Sequence, residues 1–167
     1  QIFKKSSRLR GPDFLCPNPN RLKESAALPR SRFGHRRHKK HMNESEIKAL
    51  CAIVRETSFS IHRFFRHGHA EKVYENSLRN RLKRSDLKVD QQVPLEVRDK
   101  DNTVVGEFFA DLLIEGELIL ELKAVSQLCS EHTAQVLGYL RAADLEHAML
   151  INFGSPKIEF KKFIWNQ

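Results

Sequence analysis

The sequence predicts an α/β fold: a central mixed β-sheet flanked by helices, with elements in the order ααβββαββ. Two observations predict it. Apolar residues recur at helical spacing from about residue 43, then change to strict alternation near residue 89. A single further helical pattern then separates three strand-like runs from two more. The length of 167 residues suits one ordinary domain.

The elements follow in order. Asn43-Glu44-Ser45-Glu46 has the form of a helix N-cap with an acid three residues later. Ile47, Leu50, Cys51, Val54 and Ile61 then recur at helical spacing, predicting a helix to about Phe65, with Phe64 and Phe65 closing it onto the core. Gly68 breaks the pattern. A second helix is predicted from about Ala70 to Arg84, with Val73, Ser77, Leu78 and Leu82 toward a sheet and basic residues on the other face. Val89, Gln91, Val93, Leu95 and Val97 alternate and meet the polar turn Asp99-Lys100-Asp101-Asn102, a hairpin signal. The return strand is Val104 to Ile114. After Glu115-Gly116 comes a third strand, Glu117 to Lys123, whose Leu118-Ile119-Leu120 run predicts burial on both faces. A helix from about Ser130 to Ala143 carries Ala134, Leu137 and Leu140, and the last two strands are Ala148 to Phe153 and Ile158 to Ile164.

The net charge of +8 invites a nucleic-acid reading, but the charge sits at one end. Residues 1–41 hold 12 Lys/Arg against Asp13 and Glu24, leaving residues 42–167 at a net −2, with 17 bases against 19 acids. The segment 1–41 has Pro12, Pro17, Pro19 and Pro29 and no periodicity, so it is expected to be a disordered basic tail ahead of a domain over 42–167. Met42 is the expected natural start, which makes the tail translated upstream or artificial sequence; an organelle-targeting segment or a nucleic-acid arm are the alternatives. His35, His38 and His41 have a spacing that suits metal, although a solvated cationic run is the plainer reading. Three cysteines without a CxxC pair suggest neither a disulfide framework nor a zinc ribbon, and a reducing cytoplasm is the expected setting. No apolar run approaches membrane-span length, and the N-terminus has no secretory apolar segment, so a soluble protein is expected.

The chemistry lies at the end of the third strand. Glu121 and Lys123 close the apolar run Leu118-Ile119-Leu120-Glu121-Leu122-Lys123, where a buried charge is costly unless it is paired or bound to metal. Two apart on a strand, they share a face, and Asp111 on the neighbouring strand can set a second carboxylate beside Glu121. Such oxygen ligands suit Mg²⁺ or Mn²⁺, which activate water and offset charge on a phosphate. Lys123 then orients the attacking water, its own pKa lowered by desolvation and metal. On these three residues alone a buried Glu–Lys pair is an equal reading. Gln135 and Tyr139, four apart, share a face of the following helix; Glu71 and Tyr74 are one turn apart at the start of the second, where the helix dipole favours an acid. Each pair also has a bland reading as surface or packing residues.

Gly68-His69-Ala70-Glu71-Lys72-Val73-Tyr74 matches a Gly-x-x-Glu-x-x-Tyr signature, and the chain resembles the bacterial GxxExxY family, a branch of the PD-(D/E)xK nuclease superfamily. Ala110-Asp111-Leu112-Leu113, Glu121-Leu122-Lys123-Ala124, Gln135-Val136-Leu137-Gly138-Tyr139-Leu140 and Leu150-Ile151-Asn152-Phe153-Gly154 look like family blocks in the expected order, over roughly residues 43–165. Relatives often read Gly-Pro-Gly-Phe where this chain has Arg66-His67-Gly68-His69. The resemblance implies a restriction-endonuclease-like core with Asp111 and Glu121 as metal ligands, Glu71 as an additional acid, Lys123 as the catalytic amine, and Gln135 and Tyr139 as the motif of the exonuclease-like branch.

The expected function is therefore a Mg²⁺-dependent nuclease (Mn²⁺ being the alternative ion) acting on nucleic acid, DNA before RNA. Lys72, Arg79, Arg81, Lys83 and Arg84 on the second helix are candidates for phosphate contact, Lys72, Arg79 and Lys83 first among them, although such a run is commonly a solvated face. A homodimer is compatible with this reading. The alternative function is a non-catalytic nucleic-acid-binding or protein-assembly module on the same fold.

Overall fold

The structure, a computed structural model, describes residues 41–166. The expectations for residues 1–40, including a disordered tail and metal binding by His35 and His38, lie outside the described residues. The elements are α1 (Glu44–Phe65), α2 (Glu71–Lys83), β1 (Val89–Arg98), β2 (Val104–Ile114), β3 (Leu118–Lys123), α3 (Ser130–Ala143), β4 (His147–Asn152) and β5 (Glu159–Ile164). The predicted order ααβββαββ is the one observed.

Local chemistry accounts for the boundaries. Asn43 Oδ1 accepts from the Glu46 N–H at 3.0 Å while Glu46 Oε2 accepts from the Asn43 N–H at 2.7 Å, a reciprocal cap. Such a cap contributes about 1 kcal/mol. Between the first two helices Gly68 has a φ of 109°, a conformation that a side chain would strain.

The five strands form one sheet in the order β1-β2-β3-β4-β5. Neighbours are antiparallel except β3 and β4, which run parallel and are joined through α3. The sheet is thus mixed, and β3 lies at its centre with Leu118 to Leu122 buried on both faces. α1 and α2 cover one face, where Val54, Ile61, Leu78 and Leu82 meet Leu112, Leu118, Leu120 and Ile151. α3 covers the other, where Val136, Tyr139 and Leu140 meet Ile119, Ala148 and Leu150. Each such fully buried aliphatic side chain contributes about 1.5–3 kcal/mol of transfer free energy.

Three predicted contacts are corrected. Phe64 is 73% exposed, and Phe65 alone of the pair packs on the core. The buried face of α2 is Tyr74, Glu75, Leu78 and Leu82, with Val73 turned outward. In α3 the buried residues are His132, Val136, Tyr139 and Leu140; Ala134 is exposed and Leu137 half-buried. Leu78, Leu82 and Leu140 lie on the buried stripes as predicted, and the rest of each stripe differs because polar Glu75 and His132 occupy buried positions that an apolar count passes over. Cys51 is a free, buried thiol.

The alternation in β1 conceals a change of face. Val89 joins the α1/α2 side, yet Val93 and Leu95 join the α3 side, although all three are separated by even numbers of residues. β2 makes the same change: Ile114 and Leu112 pack with α1 and α2, Ala110 with α3. Residues two apart on a regular strand share a face. The switch falls at Gln92, whose φ is 52°, and at Asp111, both of which lie between the pairs Gln91↔Leu112 and Val93↔Ala110.

Candidate functional site

The site is built at a fork in the sheet. β2 and β3 pair from Ile114↔Leu118 to Leu112↔Leu120, and the pairing goes no further. Asp111 and Glu121 are the next residues in that register. From this point β2 continues paired to β1, while β3 continues paired to β4 as far as Lys123↔Asn152. In place of a ladder partner, the Leu122 N–H donates to Asp111 Oδ2 at 2.9 Å. The Gln92 amide donates to Asp111 Oδ1 at 3.2 Å, so each oxygen of this carboxylate is held from a different strand.

Asp111 and Glu121 are only 2% and 3% exposed. Lys123 Nζ lies 2.5 Å from Glu121 Oε1, with the lysine side chain 12% exposed. The other oxygen, Glu121 Oε2, is buried with no hydrogen-bond partner. Burial, then the Asp111 carboxylate, push the Glu121 pKa up to about 8, with Glu71 adding to the rise and Lys123 opposing it. Desolvation pulls the Lys123 pKa down, as the sequence leads one to expect, and the protein's own carboxylates act in the opposite sense. Glu121, Glu71 and Asp111 together outweigh burial and hold the ammonium above the ordinary lysine value.

α2 brings Glu71, half-buried, within electrostatic reach of both Glu121 and Lys123. α3 brings Gln135 and Tyr139: the Gln135 amide donates to the Tyr139 hydroxyl at 2.7 Å, and Gln135 Oε1 is buried without a partner. Burial and then the charges of Glu121 and Asp111 raise the Tyr139 pKa well above the usual phenol range, so its proton is retained. All six residues singled out as catalytic therefore converge on the fork. Among the described residues no three or more His, Cys, Asp or Glu side chains stand at metal-holding spacing. The two strand carboxylates suit an ion such as Mg²⁺, which binds through one or two carboxylates and keeps several waters. The orphaned Glu121 Oε2 and the cost of two adjacent buried carboxylates fit a cation there.

The basic residues of α2 are more dispersed. Lys72 is exposed but bonded to Glu75 Oε1 at 2.7 Å. Arg79 is half-buried, with Nε unpartnered, and Lys83 is exposed. Arg81 bonds Ser60 Oγ at 2.9 Å and lies over the Phe64 ring, while Arg84 caps the helix.

Sequence reasoning gave no role to four residues. Asn152, fully buried, accepts from the Val125 and Gly154 N–H groups at 3.1 and 3.0 Å and so ties down the turn that follows Lys123. Gly154 lies so close to that turn that a Cβ would stand 2.3 Å from the Ala124 and Val125 backbone. Glu75 and Gln92 form the network on the other side of Asp111. The signal for Glu75 was present: it stands one turn after Glu71 on the face that carries Leu78 and Leu82.

The family model describing the PD-(D/E)XK nuclease superfamily matches residues 48–163 of this chain. No curated protein matches it. Among solved structures, that of SSO0001 is similar with 18% identity and a TM-score of 0.47, over 74% of this chain and 60% of that one. The chain thus spans less than two thirds of that neighbour's length. No helix among the described residues is long and apolar enough to cross a membrane.

Proposed function

As the chain belongs to the PD-(D/E)XK nuclease superfamily, we propose that it is a Mg²⁺- or Mn²⁺-dependent nuclease hydrolysing phosphodiester bonds of DNA. The observation that carries this reading is the fork, where buried Asp111 and Glu121 stand beside the Lys123 ammonium and one carboxylate oxygen lacks a partner. The Gly68-to-Tyr74 heptad and the ordered blocks around Asp111, Glu121 and Gln135 support the finer assignment to the GxxExxY branch.

Asp111 and Glu121 would hold the ion, with Glu71 completing its surroundings from α2. A bound Mg²⁺ or Mn²⁺ supplies Lewis-acid stabilisation of the charge that gathers on the phosphodiester. Lys123, whose amine lies beside Glu121, serves to orient the attacking water. Tyr139, which keeps its proton, is a donor beside Glu121, with Gln135 fixing its hydroxyl. Lys72, Arg79 and Lys83 follow one another along α2 at intervals of seven and four residues, which places them on one side of the helix to attract phosphate.

The test is calorimetric titration with Mn²⁺ and Mg²⁺, followed by cleavage assays on single- and double-stranded DNA and RNA. Metal-dependent cutting of DNA is expected. A second reading, a non-catalytic binding module, draws on the direct Glu121–Lys123 pair, which can serve as an internal strut. A protein that binds no divalent ion, cuts no nucleic acid and loses stability when Lys123 is replaced would favour it.

A further inference from the structure

We infer that Gln92 is a positioning residue that fixes the Asp111 carboxylate for cation binding, an inference resting on the metal-dependent reading above. Gln91 and Gln92 are consecutive on β1, and consecutive strand residues point to opposite faces. Here both amides donate to the same oxygen, Glu75 Oε1, at 2.6 and 2.9 Å. The left-handed backbone of Gln92, φ 52°, makes this convergence possible. A non-glycine residue in that region inside a strand is uncommon and strained, and such strain persists only where surroundings hold it.

What holds it is Glu75, 2% exposed, whose Oε1 also accepts from Lys72 at 2.7 Å. The same Gln92 Nε2 reaches Asp111 Oδ1 at 3.2 Å. One amide nitrogen therefore bridges two buried carboxylates, one anchored to α2 and the other at the fork. The Leu122 N–H fixes Oδ2, so Gln92 supplies the second point that defines the plane of the Asp111 carboxylate. Groups that orient a metal ligand in this way typically change metal affinity 10- to 100-fold when removed.

The test compares Mn²⁺ affinity by calorimetry with thermal melting in the full chain, for Gln92→Leu, which keeps bulk without the donor, and Gln92→Gly, which also relieves the backbone. Both variants are expected to bind Mn²⁺ about tenfold more weakly or worse, and Gln92→Gly to melt no earlier than wild type. A role in strand packing alone would lower melting and leave affinity untouched. Wild-type binding with both variants within about twofold of it would overturn this inference alone. Wild type that binds no Mn²⁺ overturns the metal reading and this inference with it.

Discussion

Two buried glutamates bracket the central strand, Glu117 just before β3 and Glu121 near its end, at 4% and 3% exposure. Their surroundings differ in kind. Glu117 Oε2 lies 3.3 Å from Nδ1 of His41, a residue 67% exposed at the rim of the domain. Glu121 stands beside a second buried carboxylate, is paired to a buried lysine, and keeps an oxygen with no partner. Burial of an acid at a strand end does not by itself make a site. Like charges placed together, at a point where the sheet divides, carry an energetic cost that folding alone gives no reason to accept.

The largest expected effect breaks this comparison outright. Asp111→Asn or Glu121→Gln should abolish calorimetric Mn²⁺ binding and lower metal-dependent cleavage by about 1,000-fold or more, within the range attributed to lost electrostatic stabilisation. Glu117→Gln should leave both unchanged. Equal losses at Glu117 and Glu121 would remove the distinction between them.

Lys123→Met comes next. Cleavage should fall by about 100-fold or more, while Mn²⁺ binding survives, because the ammonium acts on water and not as a ligand. Removing one partner of a buried pair ordinarily costs about 3–5 kcal/mol. Below pH 8 the cost should be smaller, since Glu121 can take up a proton instead of remaining an uncompensated anion. Melting curves of this variant at pH 6 and pH 9 measure the difference.

A milder effect concerns pH. The Glu121 carboxyl has a folded-state pKa of about 8 against an ordinary value of 4.5, so the folded protein holds the extra proton. Its contribution to stability is complete below pH 4.5 and is lost as pH rises through about 8. Without divalent ion, melting temperature should therefore decline across that window. Glu121→Gln should flatten this part of the profile, and saturating Mn²⁺ should oppose the decline.

The smallest effect is expected at the Glu117 end. We propose residues 42–167 as the folding unit, so a chain beginning at Met42 should melt close to the full chain. The loss of the His41–Glu117 contact, an exposed imidazole on a buried carboxylate, should cost about 1 kcal/mol. A drop of several kcal/mol would show that the preceding segment packs on the domain.

Much of the site was legible because its anomalies are local. A charged Glu121-Leu122-Lys123 end on an apolar run can be seen without a fold, as can the i, i+4 spacing of Gln135 and Tyr139. Glu75 escaped notice because its donors come from separate elements, Lys72 on α2 and the consecutive glutamines of β1. The exposure of Phe64 escaped for a related reason: an aromatic at a helix end turns inward or outward according to what packs there, and Phe65 took the inward place.

By itself the sequence determined the eight elements, their order and nearly all their ends, because caps, glycine breaks and the period of apolar residues act over a few neighbouring residues. Only the tertiary structure decided that Val89 and Val93 face opposite sides of the sheet, that β2 and β3 part at Leu112↔Leu120, and that Asp111 and Glu121 meet there. Those outcomes depend on register between strands and on which helix covers which face. Both are set by the packing of residues far apart in the chain, and one left-handed residue, Gln92, is enough to reverse the faces that strict alternation implies.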